Sequence, residues 1–282
     1  MKPRVVFFGT PDFVVPVLEA LIKNFQVVGV VTAPDQKVGR KHLLTPSPIK
    51  LASQVDGLRA WTPEKLKDGG FIQEMKNLNP DLFVVVSYGK IIPKILLEIP
   101  KYGVLNVHYS LLPKYRGATP MQTAILNGDK VSGITILKMD EKLDHGPIIS
   151  TKKFRLSEQS TFDSLSKEMT LEAIPLLVKV IPEFISGKIT PKPQNEAQVT
   201  VTKLITKEDG YFDINPQAGG PPAPDLLDKK IRAYYPWPNV WTKWNNKIVK
   251  FYPRKMIQME GKNPSKLEDF LRGYPNFPIK SL

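Results

Sequence analysis

Short apolar runs alternate with amphipathic stretches through roughly the first two thirds of the chain. Four of the runs are rich in Val and Phe: residues 4–9, 27–32, 81–87 and 103–107. Strands that are buried on both faces of a parallel sheet have this composition. The amphipathic stretches 13–24 and 161–187 predict helices. Strands alternating with helices indicate an α/β fold with an open, mostly parallel sheet.

The pattern changes twice outside these runs. Residues 133–154 contain two β-rich runs joined by a charged connection, which favours antiparallel strands. Residues 187–202 are polar and turn-rich, and a segment dense in proline and aromatic residues follows them. We therefore expect a Rossmann-like domain over 1–187, a linker over 188–205, and a small, shortened β-containing C-terminal domain over 206–282.

Composition narrows the class of protein. The 282 residues are 41% hydrophobic and 24% charged, which is typical of a soluble globular chain. No apolar run approaches the roughly 20 residues that a membrane helix needs. The absence of cysteine excludes disulfides, thiolate nucleophiles and Cys-ligated zinc, and three histidines disfavour a multi-histidine metal site. We expect a cytoplasmic protein without a metal and without membrane contact.

Positive charge is concentrated near the C-terminus. The whole chain has 40 Lys and Arg against 27 Asp and Glu, a net charge of +13. Residues 229–282 hold twelve of the basic residues and three acidic ones, so this segment alone carries +9. Such a segment is typical of contact with nucleic acid or another anionic surface, although solubility explains it equally well.

The candidate chemistry begins where the fourth apolar run ends. Asn106 and His108 are two residues apart, so a strand places both side chains on one face. Ligands of open α/β sheets bind beyond the carboxyl ends of the strands. Asp144 lies in the charged connection between the two later β-rich runs. An amide donor, an imidazole and an orienting carboxylate suit acyl transfer to an amine without a covalent intermediate.

The same residues carry a family resemblance. "LNVHYSLLPKYRGATP" together with "LDHGP" resembles the 10-formyltetrahydrofolate-dependent formyltransferases. "FFGTPDF", "LITKEDG" and "IRAYYPWPNVWTKW" narrow the resemblance to the branch that acts on methionyl-tRNA. It implies transfer of a formyl group from 10-formyltetrahydrofolate to the α-amine of initiator methionyl-tRNA, for translation initiation. We expect a monomer that uses folate as co-substrate.

The resemblance also implies roles for individual residues. Asn106, His108 and Asp144 match the catalytic trio of the family. The folate-contacting positions fall in two segments and are Val86, Tyr88, Gly89, Ser110, Leu111, Leu112 and Pro113. The loop of residues 34–49 matches the one that approaches the tRNA acceptor end. The tRNA-binding candidates are basic residues of this loop and of the C-terminal segment: Lys37, Arg40, Lys41, Lys243, Lys247 and Lys250.

Several alternatives stay open at the level of sequence. The middle strands of the family's usual C-terminal barrel are missing here, which puts the extent of tRNA contact in doubt. A formyltransferase that acts on a small amine, such as an amino sugar nucleotide, would share the trio. A non-catalytic nucleic-acid-binding protein would not need it. An ordinary turn at residues 115–117 would make Arg116 a surface charge. We interpret His145 as a bystander, and the Trp-rich segment 237–244 as the core of a small domain and not as a base-stacking platform.

Overall fold

A computed structural model describes residues 2–38, 42–215 and 220–282. The elements of the first hundred residues are β1 (Arg4–Gly9), α1 (Val15–Asn24), β2 (Gln26–Val31), β3 (Gln36–Val38), β4 (Leu43–Thr45), α2 (Pro48–Val55), β5 (Ala60–Trp61), α3 (Gly69–Asn77), β6 (Leu82–Val86) and α4 (Lys94–Leu97). The next are β7 (Val104–His108), α5 (Pro120–Asn127), β8 (Val131–Lys138), β9 (Ile148–Arg155) and α6 (Phe162–Ile185). The last are α7 (Pro224–Ala233), β10 (Val240–Trp244), β11 (Lys247–Tyr252), β12 (Met256–Met259), β13 (Ser265–Lys266) and α8 (Leu267–Gly273).

Seven strands form the main sheet in the order β5-β2-β1-β6-β7-β8-β9. The first five of these pair in parallel, and β8 runs antiparallel to β7. The predicted α/β fold with a mostly parallel sheet is therefore confirmed. Val86 at the end of β6 is in register with Val107, so the carboxyl ends of β6 and β7 lie side by side.

Both faces of the sheet are buried at the central strands β1 and β6, which explains their continuous apolar runs. Val6 and Phe8 of β1 pack in a cluster with Phe71 and Met75 of α3, and all four are 8% exposed or less. Val5 and Phe7 point to the opposite face because side chains alternate along a strand, and they are 0% exposed. A fully buried side chain of this size contributes about 1.5–3 kcal/mol to folding.

Local chemistry fixes where two covering helices begin. The Ser47 hydroxyl accepts a hydrogen bond from the Lys50 amide at 3.0 Å, and Pro48 occupies the first turn of α2. The Asp68 carboxylate accepts from the Phe71 amide at 2.9 Å and caps α3. Each cap pairs an amide that has no partner within its helix, so the cap stabilises the start of the helix.

The chain forms two compact units. One comprises residues 1–118, 133–154 and 167–201, and the other comprises 119–132, 155–166 and 202–282. The second unit contains a four-stranded antiparallel sheet in the order β10-β11-β12-β13, which confirms a small β-containing C-terminal region. The boundaries at 187 and 205 stay a prediction.

Aromatic side chains fill the core of the second sheet. Phe251 stacks with Phe277 at a centroid distance of 6.3 Å, and Trp244 meets Phe277 edge-on at 5.2 Å. Trp237 is 58% exposed, so the interpretation of the Trp-rich segment as core is wrong for this residue. It follows directly after Pro236, at a turn where no strand carries it inward.

Within the described ranges, no helix is both long enough and apolar enough to cross a membrane.

Tyr88 gives a test of packing in the main core. Its ring meets Phe8 edge-on at 5.4 Å, and its buried hydroxyl has no hydrogen-bond partner among the described residues. Tyr88→Phe should therefore leave stability unchanged or raise it by about 1 kcal/mol, since it removes an unpaired buried polar group. Tyr109 is the matched control because its hydroxyl bonds Thr170 Oγ1 at 2.7 Å, and Tyr109→Phe should cost about 1 kcal/mol.

Tyr88 also makes the stability of the unchanged protein depend on pH, because burial raises the pKa of its hydroxyl from 10.0 to about 12. The Tyr88 hydroxyl ionises near pH 10 in the unfolded chain but only near pH 12 in the folded protein. Ionisation therefore favours the unfolded chain, and the free energy of unfolding falls as the pH rises from 10 to 12. Denaturant titrations across that window should show a smaller alkaline loss for Tyr88→Phe than for the unchanged protein. A destabilised Tyr88→Phe protein would contradict the assignment of an unpaired hydroxyl.

Candidate active site

Three predicted site residues converge at the carboxyl end of β7. Asn106 and His108 lie on this strand, where Asn106 pairs with Val85 of β6 and His108 with Thr135 of β8. Asp144 lies in the connection between β8 and β9. The side chains of His108 and Asp144 are only 6% and 9% exposed. Water therefore screens little of the charge on the Asp144 carboxylate and the His108 ring.

The Asp144 carboxylate joins the trio. Its Oδ1 accepts a hydrogen bond from Asn106 Nδ2 at 3.2 Å, and its Oδ2 accepts from the Gly117 amide at 2.8 Å. His108 Nδ1 lies 3.6 Å from the same Oδ2. A buried carboxylate needs such donors, because an unpaired charge is costly to remove from water.

His108 is oriented by its other nitrogen. Nε2 lies 2.8 Å from the carbonyl oxygen of Tyr115, and a carbonyl only accepts, so Nε2 carries the hydrogen of the neutral ring. Nδ1 then presents a lone pair towards Asp144 Oδ2. Two acceptors face each other across 3.6 Å, and one added proton would turn this contact into a hydrogen bond. In the neutral ring, Nδ1 is thus an acceptor that faces the Asp144 carboxylate.

The Asp144 loop is held in a conformation that few residues adopt. Asp144 has a φ of +46°, in the left-handed region that L-residues rarely occupy. Gly146 follows, and a Cβ at that position would lie 1.8 Å from the Lys138 carbonyl oxygen. Only glycine therefore lets the loop close against the end of β8, and this explains the glycine in "LDHGP".

The predicted folate positions lie in two segments beyond neighbouring strand ends. Val86 and Tyr88 are buried in the core, so only their backbone remains for a ligand. Gly89 is exposed, and a Cβ built there would meet nothing within 4 Å. Ser110 and Leu112 are buried, whereas Leu111 and Pro113 are half-buried. A flat ring bound here would be recognised mainly by main-chain groups.

Thr135 on β8 fixes the second of these segments. Its hydroxyl donates to the Ser110 carbonyl at 2.6 Å and accepts from the Leu112 amide at 3.2 Å. Ser110 Oγ donates to the Lys114 carbonyl at 2.5 Å, which closes the turn. These hydrogen bonds therefore hold the segment in a defined conformation beside His108.

Sequence reasoning missed a group of residues in the predicted linker. Gln194 Nε2 donates to the carbonyls of Asp144 and Gly146, at 2.8 Å each. Thr200 Oγ1 accepts from the Tyr115 amide at 2.8 Å. These contacts span 50 and 85 residues, so no local pattern signals them. The polar composition of the segment is the same as that of an ordinary exposed connection.

Arg116 is buried rather than a surface charge. It is 7% exposed, and its guanidinium donates to Gln194 Oε1 at 2.9 and 3.0 Å. It also donates to both carboxylate oxygens of Glu196, at 2.6 and 3.2 Å. His145 lies nearby and bonds Asp140 at 2.5 Å. The hydrogen bonds from Arg116 hold the pKa of Glu196 below its usual value.

The basic residues predicted to bind tRNA do not belong to the segments that form the trio. Lys37 is exposed on β3, which pairs with β4 in a short ladder, while Arg40 and Lys41 lie outside the described residues. Lys243 and Lys250 are exposed and share the outer face of the second sheet. Lys247 is exposed at the start of β11, beside the hairpin turn.

Comparison with known proteins places the chain in a family. A family model for formyl transferase matches residues 3–181, which include the whole trio. A methionyl-tRNA formyltransferase of Thermodesulfovibrio yellowstonii is 40% identical over 260 residues, covering 92% of this chain and 82% of the relative.

Two solved structures share the fold at low sequence identity. A sugar N-formyltransferase from Shewanella has a TM-score of 0.68 at 18% identity, covering 89% of this chain and 96% of its own. The methionyl-tRNA formyltransferase from Clostridium thermocellum has a TM-score of 0.62 at 17% identity, covering 93% and 98%. By the family match and the 40% identity, the chain belongs to the formyltransferase family, among the methionyl-tRNA formyltransferases.

Proposed function

We propose that this protein transfers a formyl group from 10-formyltetrahydrofolate to the α-amine of methionyl initiator tRNA. The observation that carries the chemistry is the convergence of Asn106, His108 and Asp144 at one strand end. The choice of acceptor rests on the methionyl-tRNA formyltransferases to which this chain is similar in sequence, because the similarity extends over most of their length. The structural likeness to a sugar N-formyltransferase is accompanied by only 18% sequence identity, so it supports a shared fold but not a shared acceptor. An amino sugar is therefore the weaker candidate for the acceptor.

The folate donor would bind along the two segments beyond β6 and β7. The exposed main chain at Gly89 and the turn from Ser110 to Pro113 offer backbone groups to a flat ring. Since β6 and β7 are neighbouring parallel strands, both segments emerge at one edge of the sheet. This placement supports a folate site beside His108, and the formyl carbon would lie within reach of the trio.

Asn106 is suited to stabilise the charge that develops on the formyl oxygen. When the neutral amine attacks, a nitrogen–carbon bond forms and the carbonyl oxygen becomes negative. One amide hydrogen of Asn106 is committed to Asp144 Oδ1. The other has no acceptor in the part of the chain that the structure describes, and it can donate to that oxyanion. A donor of this kind contributes about 3–4 kcal/mol to the transition state.

The His108–Asp144 pair is suited to move the proton. The attacking nitrogen must lose a proton, and the departing folate nitrogen must gain one as its bond to the formyl carbon breaks. The facing lone pairs of His108 Nδ1 and Asp144 Oδ2 form a buried site for one proton. The Tyr115 carbonyl keeps the ring in the tautomer that leaves Nδ1 free to accept. The net reaction conserves the proton, so no external base is required.

The acceptor is tested directly by incubation with 10-formyltetrahydrofolate and charged initiator tRNA, beside an amino-sugar nucleotide in a separate reaction. We expect formyl-methionine on the tRNA, detected by mass spectrometry after deacylation, and no formylated sugar. Formylation of the sugar alone would overturn the proposed acceptor. It would leave the proposed chemistry of the trio intact.

Asp144→Asn tests the proton site. The variant keeps the shape of the side chain but removes one acceptor oxygen, so Gly117 or Asn106 loses its partner and the proton site is lost. We expect kcat to fall by at least about 100-fold, in the range of general acid–base catalysis, with little change in folate binding. Asp68→Asn is the matched control, because asparagine caps α3 as well as aspartate does. Turnover above about a tenth of the unchanged rate would argue against the role of Asp144.

The basic residues of the second unit give a separate test. Changing Lys243, Lys247 and Lys250 together to Gln should weaken tRNA binding. If each lysine neutralises one phosphate, its removal reduces the slope of log K against log salt by about 1. The rate at saturating tRNA should stay nearly unchanged, since these residues lie in the unit that does not contain the trio. Dissociation constants measured from low to high salt report the slope.

A triple variant on exposed helical positions controls for total charge. Lys23, Lys76 and Lys179 lie on α1, α3 and α6, and their change to Gln lowers the net charge equally. This variant should keep its affinity and its salt slope. If both triple variants behave like the unchanged protein, the lysines of the second sheet only solubilise the chain.

A further inference from the structure

Arg116 and Gln194 form a part-buried polar contact that the chemistry above does not use. The guanidinium of Arg116 donates through Nε and Nη2 to Gln194 Oε1 and through Nη1 and Nη2 to Glu196. Arginine always carries its charge, and burying it is costly unless every face finds an acceptor. An arginine that is 7% exposed and donates four hydrogen bonds to two acceptor groups is therefore held in one position.

The contacts of Gln194 leave no choice in the orientation of its amide. Arg116 only donates, so the oxygen of Gln194 must face it. The nitrogen then uses both hydrogens on the carbonyls of Asp144 and Gly146, at 2.8 Å each. Gln194 thus spans the loop on both sides of His145 and fixes the main chain to which the Asp144 side chain is attached.

The loop needs such support because its backbone is strained. A left-handed conformation at a residue other than glycine is costly and persists only where neighbours hold it. Asp144 has a φ of +46°, and its carbonyl is one of the two that Gln194 binds. Gly117, directly after Arg116, donates its amide to Asp144 Oδ2. One turn therefore holds both the side chain of Asp144 and, through Gln194, its main chain.

We propose that Arg116 and Gln194 are positioning residues for formyl transfer, which set where the Asp144 carboxylate lies relative to His108 and Asn106. This inference deepens the proposed function and rests on it for the reaction. Neither residue needs to touch a substrate for this role. Without their support the Asp144 loop should relax, so the proton site between Nδ1 and Oδ2 would be displaced while the binding surfaces remain.

Gln194→Glu tests the contact with almost no change of shape. The variant keeps an oxygen towards Arg116 and places a second oxygen against the carbonyls of Asp144 and Gly146, which repel it. Misplacement of a reacting group by about 1 Å costs on the order of 100-fold, so we expect kcat to fall about 10- to 100-fold. KM for the folate and for the tRNA should change by less than about threefold. Gln73→Glu on α3, where the exposed amide donates to Asn77 Oδ1, is the matched control.

A substrate-free measurement separates this inference from the proposed function. The chain has three histidines, so the ring ¹⁵N signals of His108 are readily assigned by substitution of His42 and His145. Gln194→Glu should shift the His108 Nδ1 signal, because the carboxylate that faces it moves. Gln73→Glu should leave it in place. A chain that formylates no tRNA would overturn the proposed acceptor but would not affect this readout.

Two further variants keep the test informative if a charged side chain disturbs folding. Gln194→Met removes both donors without adding charge, and Arg116→Lys keeps a cation for Glu196 but lacks the fork that also reaches Gln194. Both should lower kcat more than they raise KM, and melting temperatures should confirm that the proteins are folded. A folded Gln194→Met protein with unchanged kcat and unchanged His108 signals would overturn the inference.

Discussion

The carboxylate of Asp144 is the point on which the site depends. It lies almost wholly out of water and is paired by the Asn106 amide and the Gly117 amide, with His108 alongside. Hydrogen bonds to charged groups contribute about 1.5–3 kcal/mol each, and a buried charge without them is penalised strongly. The same requirement that makes the charge tolerable in the fold therefore brings together the strand end, the turn after Pro113 and the loop after β8.

The remaining features of the site follow from holding that charge in one place. Glycine is needed at 146 so that the loop closes on the end of β8, and the left-handed backbone of Asp144 is supported through Gln194. The Tyr115 carbonyl selects the tautomer of a neutral His108, in which the imidazole presents an acceptor to Asp144. Each of these contacts is local in space, although the residues come from four separate stretches of chain.

Chemistry and the basic surface are carried by different parts of this chain. The trio and the proposed folate segments belong to the unit that holds most of the seven-stranded sheet, and the exposed lysines of β10 and β11 belong to the other. A sugar N-formyltransferase shares the fold at 18% identity, so a common scaffold accommodates more than one formyltransferase function. The small second sheet has its own aromatic core, and this lets basic residues occupy its outer face without loss of packing.

The sequence by itself determined the α/β architecture, the placement of Asn106 and His108 on one strand face, and the family. These features rest on local information: apolar runs of strand length, a two-residue spacing and contiguous motifs. Only the tertiary structure decided that Arg116 is buried, that Tyr88 and Val86 offer backbone alone, and that Gln194 and Thr200 from the expected linker hold the site. A turn arginine and a polar connection look the same whether they face water or close a loop 50 residues away, because their hydrogen-bond partners are set by the packing of distant segments.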